Sequence, residues 1–158
     1  MAKNKEEKTN VMRVLEQKKI AYPHEEGVAV DGVTVAKSMG FDPAIVFKTL
    51  VARGASKQYY VFDVPVAENL DLKKAAKAVG EKSIEMIHQK ELLPLTGYVH
   101  GGCSPVGMKK LFPTVFHSSA ENLAAMIVSA GKIGYQVELA PHDLAALVRA
   151  KFADIIVE

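Results

Sequence analysis

The stretch Thr96-Gly97-Tyr98-Val99-His100-Gly101-Gly102-Cys103-Ser104-Pro105-Val106-Gly107 holds four glycines and a proline in twelve residues. That composition forbids a regular helix, because glycine carries a high backbone-entropy cost and proline lacks an N–H. The chain must therefore build its regular elements before and after this segment and fold around it. Such a loop exposes backbone N–H groups and lets a ligand approach the main chain closely.

The flanking sequence reads as interleaved strands and helices. Thr9 to Lys19 has helical spacing through Val11, Val14, Leu15 and Lys18, with Thr9 or Asn10 available as an N-cap. Val33 to Met39 reads as a short helix stopped by Gly40, and Phe41-Asp42-Pro43 starts another. Phe47 to Ala52 and Tyr59 to Val64 are apolar, aromatic or β-branched, and are expected to pair across Arg53-Gly54-Ala55-Ser56. Asp71 to Val79 places Leu72, Ala75, Ala76 and Val79 on one helix face, with Gly80 closing it.

Ser83 to Ile87 is expected as a strand, followed by a helical turn limited by Pro94. Thr114–Phe116, Met126–Ser129 and Tyr135–Leu139 read as further strands, and Pro141-His142-Asp143 opens a final helix. The expectation is one domain over residues 1–158, with 1–8 flexible. Its class is α/β (α+β): a mixed, mostly antiparallel sheet, a partly closed barrel flanked by helices.

The bulk properties exclude several function classes. Lys+Arg 20 against Asp+Glu 18 gives a net charge of +2, too weak an excess to announce a nucleic-acid binder. Seventeen of those cations are Lys, and several of them cluster. The single cysteine, Cys103, rules out an internal disulfide and fits a reducing cytosol. No secretory signal is visible, and the longest apolar run, Leu123 to Val128, is six residues, against roughly 20 for a membrane helix.

The common catalytic motifs fail one by one. At Gly131-Lys132 a phosphate loop would need glycine where Met126 stands and a hydroxyl where Ile133 stands. No G-x-G-x-x-G supports a dinucleotide fold, and no G-x-S-x-G supplies a nucleophile elbow. The five histidines show no H-x-x-x-H spacing, so no metal site is expected. Cys103 stands where backbone amides lower a thiol's pKa, but the plainer reading is a small residue filling a tight loop. Lys48, inside the otherwise apolar Val46–Ala52, either snorkels to the edge or points into a cleft as a clamp. Lys132, and the pair Lys109 and Lys110, read by default as solvated turn residues.

Taken together, the motifs resemble a known family. They are Phe47-Lys48-Thr49-Leu50, Leu70-Asp71-Leu72-Lys73-Lys74-Ala75-Ala76-Lys77, Gly97 through Lys110, Val128 through Gly134, and Ala150 through Ile155. In this order, over nearly the whole chain, they resemble the YbaK/EbsC family of Cys-tRNA(Pro) deacylases. That family is related to the editing domain inserted in bacterial prolyl-tRNA synthetases.

The resemblance implies a cytoplasmic trans-editing enzyme, with no cofactor and no metal, whose partners are the aminoacylated 3′ end of tRNA and prolyl-tRNA synthetase. A synthetic pocket discriminates poorly between small side chains of similar size, so a second site must remove the error. In the family's proposed chemistry the substrate cysteine's own sulfur attacks its ester carbonyl and releases the tRNA as a thiolactone forms. The enzyme then positions the ester and stabilises the oxyanion. The resemblance assigns Lys48, Gly101, Gly102 and Ser104 to catalysis, and Tyr98, Cys103, Pro105, Ser129, Gly131 and Lys132 to substrate binding. Lys48, Lys73, Lys74, Lys77, Lys109, Lys110 and Lys132 form the expected basic patch for the tRNA end.

Two departures stand in the sequence. The family's pocket tyrosine has no counterpart in Glu25-Glu26-Gly27-Val28-Ala29-Val30, and Gln136 replaces an acidic side chain of some relatives. The alternatives are an Ala-tRNA(Pro) or broader deacylase using water, and a non-catalytic module binding tRNA or a synthetase.

Overall fold

A computed structural model describes residues 10–17, 24–26 (backbone only), 42–132 and 135–158. The expected helix over Val33–Met39 and the expected flexible segment 1–8 lie outside these residues. The elements run α1 (Asn10–Gln17), β1 (His24–Glu26), a 3-10 turn (Pro43–Ile45), β2 (Phe47–Gly54), β3 (Tyr59–Pro65), α2 (Leu72–Val79), β4 (Ile84–Met86) and α3 (Gln89–Thr96). After the glycine-rich loop come β5 (Thr114–His117), a 3-10 turn (Ser118–Asn122), β6 (Met126–Ser129), β7 (Tyr135–Leu139), α4 (Pro141–Val148) and β8 (Lys151–Ala153).

The strands form two sheets, a five-stranded one ordered β4-β2-β3-β5-β8 and a three-stranded one ordered β1-β7-β6. Pairing is mostly antiparallel, with β3–β5 and β5–β8 parallel. The described strands do not close into a barrel. The two sheets instead meet edge to edge through a parallel bridge between Val46 and Ile127. Val66 N–H donates to the Val46 carbonyl at 2.8 Å and braces that seam.

β2 and β3 are long apolar runs because both faces of the central sheet are covered. Ala52, Tyr60, Phe62 and Val64 pack with Ala75 and Ala76 of α2 on one face. Phe47, Val51, Val61 and Phe116 pack on the other with α1, α4 and the smaller sheet. Fully burying one such Phe or Val is worth roughly 1.5–3 kcal/mol. α2 starts where Asp71 Oδ1 accepts from Lys73 and Lys74 N–H at 2.9 and 3.0 Å, and ends at Gly80 with φ 76°.

Pro94 does not stop α3, contrary to expectation. The helix runs on to Thr96 and ends at Gly97, whose φ of 86° permits the left-handed cap. Pro94 lies on an exposed face and removes only its own bond to the preceding turn. β1 and β8, three residues each, are absent from the sequence reading, their polar and charged residues His24-Glu25-Glu26 and Lys151 giving no apolar strand pattern. Among the described residues no helix is long and apolar enough to cross a membrane.

Candidate active site between two glycine loops

The glycine-rich loop is organised from inside by two residues at its start. Thr96 donates its hydroxyl to the Leu92 carbonyl at 2.7 Å and accepts from Tyr98 N–H at 3.0 Å. Lys109 N–H donates to the Thr96 carbonyl at 3.1 Å and closes the neck of the loop. Tyr98, only 7% exposed, donates its hydroxyl to the Val106 carbonyl across the loop. Inside that clamp Gly102 N–H donates to the Val99 carbonyl at 2.9 Å, and Val106 N–H to Ser104 Oγ at 3.2 Å. Gly101, exposed and with φ 90°, sits at the outer bend where a side chain would be strained.

The same tyrosine reaches the second glycine loop. A Cβ built on Gly131 would stand 3.0 Å from Tyr98 Cε1 and 3.0 Å from Val11 Cγ2, at a φ of +94°. Only glycine lets the β6–β7 turn press against the Tyr98 ring and α1 at once. Ser129 Oγ accepts the Gly131 N–H at 3.1 Å and fixes the turn's entry. Thus Tyr98, Gly131 and the Gly101–Pro105 segment form one body. Lys132 stands beside them, its ammonium 4.9 Å from the Tyr135 ring centre.

Lys48 enters from the seam between the sheets. One two-residue step from the Val46–Ile127 bridge leads to Lys48 along β2 and to Ser129 along β6. Ser129 in turn stands opposite Gln136 on β7. The Lys48 ammonium is half-buried, and desolvation pulls its pKa below the ordinary value while Glu68 partly restores it. Gln136 Oε1 is buried with no hydrogen-bond partner. A desolvated cation, a hydroxyl and an unpaired amide oxygen therefore share this seam. Such a set suits the ester and amine of an aminoacyl group.

Not every expected residue faces the seam. Ser104, Tyr98 and Cys103 are buried, and the first two bond within the loop. Burial, and after it the charge of Asp63, push the Cys103 thiol up to about 12, so it carries its proton and is no nucleophile. One lysine of the expected basic patch is already paired within the protein. Lys74 is held by Asp154 and Glu158, each at 3.1 Å, and by the Ile156 carbonyl at 3.0 Å. Its partners are carboxylates far off in sequence, so its charge is already compensated in the free protein.

One residue escapes the sequence reading altogether. Asp63, in the middle of β3, is fully buried, and burial lifts its carboxyl to about 7. A lone acid within Tyr59-Tyr60-Val61-Phe62-Asp63-Val64-Pro65 is the same signal that singles out Lys48. Among the described residues no group of three or more His, Cys, Asp or Glu is placed to hold a metal ion.

Comparison with known proteins agrees with this geometry. Residues 27–147, spanning the seam and both loops, match the model of the aminoacyl-tRNA editing domain. The chain belongs to the aminoacyl-tRNA editing domain family. It is 46% identical over 160 residues, 98% of each chain, to a protein of Enterococcus faecalis (strain ATCC 700802 / V583) named a candidate Cys-tRNA(Pro)/Cys-tRNA(Cys) deacylase, EbsC. A solved structure described as a candidate trans-editing enzyme for prolyl-tRNA synthetase superposes with a TM-score of 0.83 at 24% identity, over 97% of this chain and 100% of the other. A scaffold from computational epitope grafting has the same fold, with a TM-score of 0.82 at 25% identity, over 94% and 95% of the two chains. Within the editing-domain family, then, this chain keeps the whole fold and carries Gln136 at the seam.

Proposed function

We propose that the protein is a trans-editing deacylase that releases cysteine from mischarged Cys-tRNA(Pro), and that it acts in the cytoplasm beside prolyl-tRNA synthetase. The observation that carries this is the near full-length identity to the Enterococcus protein named for that activity. The site supports it with positioning groups and no activated nucleophile. Cys103 is protonated and buried, and Ser104 is engaged inside its loop.

The reaction then uses the substrate's own sulfur. The cysteine thiol attacks the ester carbonyl, an S–C bond forms, the C–O bond to the terminal ribose breaks, and the thiol proton ends on the ribose oxygen. The products are a cyclic thiolactone and free tRNA. Backbone amides of the Gly101–Pro105 segment stabilise the oxyanion, while Lys48 holds the ribose or phosphate, or polarises the ester. Gly102, Ser104, Tyr98, Cys103 and Pro105 shape that segment; Ser129, Gly131 and Lys132 form the opposite wall.

The relative's name covers cysteine on two tRNAs, which fits a site that sees only the acylated end. The synthetase then supplies tRNA identity. The test is a deacylation panel of Cys-tRNA(Pro), Cys-tRNA(Cys), Ser-tRNA(Pro), Ala-tRNA(Pro) and Pro-tRNA(Pro). Both cysteinyl substrates are expected to be cleared, and Ser-tRNA(Pro) to resist. Release of none above the spontaneous rate sinks the enzymatic reading, and release of the seryl ester replaces the thiol route by attack of water.

A further inference from the structure

We propose that Asp63 is a positioning residue for the glycine-rich loop, seating the Gly101–Pro105 segment from the buried face of β3. The inference rests on reading that loop as the active site. Asp63 Oδ1 accepts the Thr49 hydroxyl at 2.5 Å, and Oδ2 is buried with no partner. By strand alternation Asp63 and Thr49 share the sheet face of Phe47, Val51 and Val61, which belong to the same buried apolar cluster as Cys103 and Val106 of the loop. The charge of Asp63 is felt at Cys103, whose sulfur also lies within reach of the Thr96 hydroxyl.

The groups facing this carboxyl from each neighbouring element are few. β2 offers the Thr49 hydroxyl, β5 offers Phe116 in register, and the loop offers the protonated Cys103, with Tyr98 beyond it. The nearest titratable side chains along the paired strands, Lys48 and His117, belong to the opposite face by alternation. Burial and the Thr49 bond are what act on Asp63, so no cation compensates an ionised form.

A neutral carboxyl here leaves one polar oxygen short of a bond. A carboxylate leaves a full charge buried beside apolar groups, which is far more costly. The cheapest relief is entry of water, and the irregular loop yields more easily than the central strands. Ionisation should therefore loosen the loop and misplace its amides, whose alignment sets oxyanion stabilisation.

Hydrogen exchange at the Gly102 and Val106 amides, compared between the full chain and Asp63→Asn, reads the loop directly. Raising the pH from about 6 to about 8.5 crosses the Asp63 titration. Wild-type protection is expected to fall about tenfold relative to Asp63→Asn over that interval, a factor of ten being one pH unit of titration. Equal protection in both proteins across the interval overturns the proposal. Thr49→Val, which removes the bond that favours ionisation, should shift the loosening to higher pH; an unshifted or lowered transition contradicts the assignment to Asp63.

The catalytic counterpart is the wild-type to Asp63→Asn ratio of kcat on Cys-tRNA(Pro), in which the titrations of Lys48 and of the substrate thiol cancel. The ratio is expected to decline above about pH 7 with KM little changed. A ratio independent of pH overturns the proposal and leaves the deacylase reading intact. Loosening of the loop without deacylation at any pH does the reverse: the coupling stands and the functional reading falls.

Discussion

Two regions of this molecule use the same kinds of residue to opposite ends. At the C-terminal clasp, Asp71 N–H donates to the Ile155 carbonyl and Val157 N–H to the Asn69 carbonyl, and Lys74 binds two carboxylates and a carbonyl. His117 joins the same network through Asp154 at 3.4 Å. Every one of these polar groups has a protein partner. At the seam, Lys48 is desolvated with Glu68 as its attractive charge, and Gln136 Oε1 is buried and unpaired. On the opposite face of the central sheet from Lys48, Asp63 Oδ2 is buried and unpaired. Among the described residues these are the two buried side-chain oxygens without a partner, and neither belongs to the clasp. Folding alone selects against such groups, so the unpaired Gln136 oxygen on the strand beside Ser129 is what a ligand-binding site leaves behind.

The largest break in this contrast should come from Lys48→Ala. Removing a positioned cation from a partly dry site costs about 10²-fold in kcat, by analogy with loss of one oxyanion-stabilising donor. Deacylation of Cys-tRNA(Pro) by the variant, with circular dichroism confirming the fold, measures it. Activity within a few-fold of wild type would return Lys48 to the role of a snorkelling surface lysine.

The second effect is on stability, and its sign follows from Asp63. Between its ordinary pKa of 3.8 and about 7 the folded chain keeps a proton on Asp63 that the unfolded chain releases. Asp63 then favours folding at low pH, loses that contribution as pH rises through this window, and has nothing further to lose above about 7. The slope is up to about 1.4 kcal/mol per pH unit. Urea unfolding of wild type minus Asp63→Asn should fall across the window and level off beyond it. A flat difference would place Asp63 with the ordinary paired carboxylates of the clasp.

Gly131→Ala ranks third. The new Cβ meets Tyr98 and Val11 at 3.0 Å in a left-handed backbone conformation. A destabilisation of about 1–3 kcal/mol is expected from the strain, with lower kcat in the folded fraction because the two loops share Tyr98. Gly80→Ala, at φ 76° with nothing within 4 Å of the new Cβ, is the control from the clasp side. It should lose stability without losing turnover.

How far the sequence discloses all this depends on range. Features set by neighbouring residues are readable, such as the apolar face and Gly80 stop of α2, the β2–β3 hairpin and the open character of Gly97–Gly107. Lys48 stands out because a charge within an apolar strand is a local anomaly. Asp63 is the same anomaly, masked because the strand propensity of β3 dominates its sequence and hides the exception. The fate of Lys74 is hidden for a different reason. Its partners Asp154 and Glu158 come from the far end of the chain, and only the docking of that end beside α2 brings them together. The two-sheet seam at Val46 and Ile127 is hidden likewise, since an isolated bridge leaves no periodic trace.

The smallest effect separates the lysines by function. Lys74 and Lys48 are equal candidates for a tRNA-binding patch on sequence, yet the Lys74 ammonium is already occupied by Asp154 and Glu158. Lys74→Ala should therefore leave tRNA affinity and its salt dependence almost unaltered, since a paired cation releases few counterions on binding phosphate. Its cost should appear instead as a slight lowering of the urea midpoint, because exposed ion pairs contribute little to stability. The Lys109 ammonium lies 3.5 Å from the Pro94 carbonyl at the neck of the loop, a neutral partner, and among the described residues no carboxylate pairs with it. Lys109→Ala should weaken tRNA binding and flatten the dependence of log Kd on log salt by about one unit for each phosphate no longer neutralised. Equal salt slopes in the two variants would mean that pairing in the free protein does not decide which lysines meet the tRNA.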